Sequence, residues 1–61
     1  MTRAGILLHA NLSVYARCRH LEDAVATYPE GDDVRLILEL RLLEEEQNLE
    51  MLADKLRKML E

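Results

Sequence analysis

Tyr28-Pro29-Glu30-Gly31-Asp32-Asp33 contains the only proline of this 61-residue chain and one of its two glycines. Proline offers no N–H to a helix and pushes the preceding Tyr28 out of α geometry, while Gly31 tolerates positive φ, so the chain is expected to reverse here. Asp32 or Asp33 then caps a new helix by accepting from its free amides, and either carboxylate suits the positive end of the helix dipole.

Beyond the turn, Val34 to Leu60 has no Gly or Pro and is dominated by Leu, Glu, Arg, Lys, Gln, Met and Ala, all strong helix formers. Arg35 and Glu39, Arg41 and Glu45, Asp54 and Lys58, and Arg57 and Glu61 stand at i,i+4 spacing for modest ion pairing. Lys55, Arg57 and Lys58 complement the negative pole of the dipole. Leu49, Leu52, Leu56 and Met59 form a narrow apolar seam, whereas Val34, Leu36, Ile37, Leu38, Leu40, Leu42 and Leu43 place apolar groups on nearly every side.

Before the turn, Leu7, Ala10, Val14, Cys18, Leu21, Val25 and Tyr28 recur at helical spacing, widened by Ala4, Leu8 and Tyr15. His9, Ser13, Arg17, His20, Asp23 and Thr27 lie opposite. Leu8, Ala10, Leu12, Val14, Ala16 and Cys18 also alternate as a strand would, but that alternation ends at His20 while the helical stripe continues. The chain is also poor in aromatics and β-branched residues.

The expectation is an all-α fold in one domain: an antiparallel helical hairpin with a helix at about 4–27, a turn at 28–32 and a helix at about 33–60. At 1.5 Å per residue the arms are about 36 Å and 42 Å long, and residue i falls roughly level with residue 61−i. Arg17 and Arg19 then stand beside the stretch from Leu42 to Glu46.

Length limits how such a hairpin is stabilised, because a chain of this size buries only about 60% of its unfolded surface. Small scaffolds commonly add disulfides, a metal or a partner subunit. The single Cys18 excludes an internal disulfide. Its two-sided leucines call for further helices around the second arm, which a second copy would supply as a four-helix bundle.

Net charge is −4, split as three bases against two acids in residues 1–28 and five against ten in residues 29–61. That balance disfavours generic nucleic-acid binding, which depends on clustered Lys and Arg. No stretch approaches the ~20 apolar residues needed to span a bilayer. The opening Met1-Thr2-Arg3-Ala4-Gly5-Ile6-Leu7-Leu8 faintly resembles a secretion signal, but His9 and Asn11 interrupt it. One cysteine and 33% charged residues suit a reducing compartment, so a cytoplasmic location is expected.

His9, Cys18, His20, Glu22 and Asp23 are the only metal-ligand types grouped together, and they lack the paired spacings of zinc sites. Cys18 lies on the apolar stripe and both histidines on the polar one. His20 and Asp23 are one turn apart, and Cys18 with His20 makes a conceivable nucleophile pair. Neither has the orienting groups and concave pocket that catalysis requires, so no enzyme activity, metal or cofactor is expected. Asn11 flanks the apolar stripe near the level of Gln47 and Asn48, where a buried amide can fix register.

The stretch from His20 to Leu43, with Ala24 and Tyr28-Pro29, resembles one helix-to-helix connection of a tetratricopeptide repeat. It covers under half the chain and lacks the small residues at which those helices approach, so it implies no membership. The functional expectation is a non-enzymatic, homodimeric protein–protein interaction module: an adaptor, chaperone or inhibitory regulator. Its partner surface is expected at Leu36, Ile37, Leu40, Leu43, Glu44, Glu45 and Glu46. The alternative is a dimeric nucleic-acid-binding regulator using Arg3, Arg17, Arg19 and His20.

Overall fold

Two helices make up nearly all of residues 2–61, the part of the chain that the computed structural model describes. Helix α1 spans Arg3–Thr27 and helix α2 spans Asp33–Leu60, packed as an antiparallel hairpin 43 Å long. No strand occurs among the described residues, and the alternating segment from Leu8 to Cys18 is helical throughout. Met1, the first residue of the signal-like stretch, lies outside the described residues.

Local chemistry sets the ends. The Thr2 hydroxyl accepts from the Gly5 amide at 3.0 Å and so caps α1. Tyr28 is extended, at φ −105° and ψ 145°, as the proline after it demands. The Asp32 N–H closes the turn on the Pro29 carbonyl at 3.2 Å, with Gly31 in the left-handed region at φ +89°. Asp32 then accepts from the Val34 amide at 2.7 Å, so of the two candidate caps it is Asp32 that starts α2. Arg35 ties the arms together, donating to the Tyr28 carbonyl at 2.9 Å and to Glu39 at 2.8 Å.

The seam between the arms follows alternating steps of four and three residues. On α1 it runs through Leu7, Asn11, Val14, Cys18, Leu21 and Val25, and on α2 through Leu38, Leu42, Glu45, Leu49, Leu52 and Leu56; all twelve are buried or half-buried. This is the spacing of an antiparallel coiled coil, in which a 3.5-residue repeat keeps one stripe against its partner. Level pairs are close to those expected from the turn: Arg17 meets Glu45, and Asn11 donates to the Leu52 carbonyl at 3.2 Å.

The seam is thin. Among the described apolar residues only Val14 and Cys18 are buried, at 5% and 4% exposure. Leu8 and Tyr15, expected to widen the buried stripe of α1, are exposed instead. One partner helix covers only a narrow arc, and these two residues stand about 100° around α1 from Leu7 and Val14.

Candidate interaction surface

Leu36, Leu40 and Leu43 repeat the four-and-three spacing of the seam about half a turn around α2 from it, so α2 carries two apolar stripes on opposite sides. Only one stripe meets α1. Leu36, Ile37, Leu40 and Leu43 are all exposed, Ile37 most of them at 65%. The outer stripe ends at Gln47, so its apolar part lies in the half of the hairpin nearest the turn.

Glu44 and Glu46 are exposed on α2, but Glu45 is not part of that solvated run. The sequence places it on the partner surface with its neighbours, whereas the structure buries it in the seam at 7% exposure. The reason is register: position 45 falls between Leu42 and Leu49 in the four-and-three series, which turns its side chain onto α1. There Oε2 lies 3.5 Å from Arg17 Nε and Oε1 lies 3.7 Å from Arg41 Nε. Oε2 is fully buried without a hydrogen bond.

Arg17 and Arg41 approach Glu45 from solvent and line one of the two grooves between the helices, with His20 and Leu21. Arg19, two residues on and about 200° around α1, lines the opposite groove with Tyr15, Glu22 and Glu46. The basic residues of α1 are thus divided between two faces, and one of them is tied to a carboxylate.

Cys18 is buried beside Glu45, and burial, with the Glu45 charge second, pushes its thiol above the ordinary value of 9.0. A thiol held in the protonated form is a poor nucleophile. His9 and His20 are exposed, and no three His, Cys, Asp or Glu side chains among the described residues converge as metal ligands. Among the described residues, no helix is long and apolar enough to cross a membrane.

Asn11 sits in the seam, where Nδ2 donates to the Leu7 carbonyl at 2.8 Å as well as to Leu52. Among the described residues, its bond to Leu52 is the one side-chain hydrogen bond from α1 to the body of α2. Leu8, Leu12 and Tyr15 form a second exposed stripe on α1 that the expected partner surface omitted. Their i, i+4, i+7 spacing is legible in the sequence once Leu12 is read with its helical neighbours rather than in alternation.

No protein-family description, curated protein or solved structure matches this chain.

Proposed function

We propose that this chain is a non-enzymatic protein–protein interaction module that acts as a homodimeric four-helix bundle. Its dimer contact is the outer stripe of α2, Leu36, Ile37, Leu40 and Leu43, bordered by Glu44 and Glu46. The observation that carries this reading is that, among the described residues, thirteen large apolar side chains are exposed and two apolar residues are buried. Leu36, Ile37, Leu40 and Leu43 adjoin one another on α2, and contiguous apolar surface marks association sites. The second stripe on α2 is what a helix in the interior of a bundle requires, because it must face neighbours on both sides.

A two-fold dimer uses the same patch on both copies, and a leucine stripe centred on Leu40 can meet itself antiparallel. The nucleic-acid reading lacks a comparable observation, since Arg17 and Arg19 face opposite grooves.

Sedimentation equilibrium tests the proposal. A species of twice the 7.1 kDa chain mass is expected for the unaltered protein, and a helical monomer for Leu40→Glu. A stable monomer of the unaltered protein at high micromolar concentration removes the dimer reading, and salt-sensitive duplex DNA or RNA binding would revive the alternative.

A further inference from the structure

The two grooves of the hairpin differ in charge. The one that Arg19 borders runs along half the length of the rod: its middle section is lined by Tyr15, Glu22, Glu46, Leu49 and Ala53, and its section toward the free end by Asn11, Ala53, Leu56 and Leu60. Ala53 belongs to both sections, so they are one continuous trough. Its floor is apolar, and Ala53, the smallest side chain along it, is exposed.

The rim of this trough is acidic. Glu22, Glu46 and Glu50 border its middle section and Glu61 its end, against Arg19 and Arg57. Arg57 is already held by Asp54 at 2.6 Å, which leaves Arg19 alone to offset the carboxylates. From Glu46 to Leu60 the floor is about 21 Å long at 1.5 Å per residue, the length of a helix of about 14 residues.

We propose that this trough binds a basic amphipathic helix of another protein. Its apolar face packs on Leu49, Ala53, Leu56 and Tyr15, and its Lys or Arg side chains reach Glu22, Glu46 and Glu50. This is helix-in-groove recognition, in which apolar anchors at i, i+3, i+4 and i+7 supply affinity and rim charges supply orientation. A second copy of this chain is the poorer occupant, because two such troughs meeting about a two-fold axis bring the same carboxylates together. The inference rests on the interaction-module reading but not on the dimer contact, which lies on the outer side of α2 nearer the turn.

The test uses the full chain and two designed 15-residue amphipathic peptides, one with Leu and Lys and one with Leu and Glu at the same positions. Fluorescence anisotropy is expected to show binding of the Lys peptide only, weakening with salt. Ala53→Gln, which fills the floor without changing charge, and Glu22→Gln with Glu50→Gln, which strips rim charge without touching the dimer contact, are each expected to weaken binding about tenfold, a loss of about 1.4 kcal/mol. Glu30→Gln with Asp33→Asn removes the same charge at the turn, away from the trough and from the dimer contact, and is expected to leave affinity unchanged. Absence of binding, equal binding of the Glu peptide, or equal losses in all variants overturns the proposal. So does conversion of a dimer to a monomer by Ala53→Gln, which would assign the trough to a second copy. Groove binding by a chain that sediments as a monomer would sink the dimer and keep the trough.

Discussion

Glu45 occupies a position that the four-and-three spacing reserves for an apolar side chain, and its environment repays that burial poorly. Its contacts to Arg17 and Arg41 are long, at 3.5 and 3.7 Å, and both guanidinium groups are largely exposed, at 59% and 64%. Breaking a buried pair is costly when it strands a buried charge, but here the arginines left behind are hydrated. Glu45→Leu is therefore expected to stabilise the hairpin by about 1 kcal/mol, raising the midpoint of thermal unfolding, read by circular dichroism, by about 5 °C. A fall in the midpoint would show that the ion pairs outweigh the cost of desolvation. Glu45 also marks where reading by composition fails: within Glu44-Glu45-Glu46 it looks like part of a solvated face, and only the series Leu38, Leu42, position 45, Leu49, Leu52, Leu56 reveals it. Cys18 beside it gives a prediction with a sign. Its thiol is raised above 9.0 in the folded state, so the unfolded chain ionises first and stability falls as pH rises through 9 toward the higher folded value. Alkylation by iodoacetamide at pH 8 is expected to be about tenfold or more slower for the native chain than for the chain in urea. Equal rates would mean that the seam opens freely.

At the scale of the helices, the ends and the turn were legible because each is set by chemistry within a few residues. Pro29 extends Tyr28, Gly31 supplies the left-handed residue, and an aspartate caps α2. Asp32→Ala is expected to cost about 1 kcal/mol in urea unfolding, since the Val34 amide loses its 2.7 Å acceptor, whereas Asp33→Ala costs less. Equal costs would mean that the cap is shared. Far from the turn, α2 depends on side-chain pairs: Lys58 and then Arg57 hydrogen-bond Asp54 and hold its carboxyl below the ordinary 3.8. That contribution is present above pH 3.8 and is lost as pH falls through the lower folded value, so helicity of the last turns declines in acid and Asp54→Asn removes that dependence. Which side of α1 meets α2 was harder to read. Both Leu7-Val14-Cys18-Leu21 and Leu8-Leu12-Tyr15 are valid helical stripes, and the choice between them is made by packing against a partner helix that local sequence does not specify.

For the molecule as a whole, the thin seam and the exposed outer leucines are the two features on which the proposed dimer rests. A coiled-coil seam needs only one stripe per helix, so the series Leu36, Leu40, Leu43 is redundant within a monomer and costs solubility there. If these leucines pack on a second copy, unfolding is coupled to dissociation, and the folded state gains stability with concentration by mass action. The melting midpoint of the unaltered chain is then expected to rise by several degrees between about 5 μM and 500 μM, a hundredfold change worth about 2.7 kcal/mol per mole of dimer. Leu40→Glu is expected to melt at one temperature across the same range, because its charge cannot be desolvated at the centre of the stripe. Glu45→Leu, acting inside each hairpin, raises the midpoint at every concentration without flattening the dependence. A midpoint for the unaltered chain that is flat across the range would place all of its stability within two helices and leave the outer leucines to a different protein.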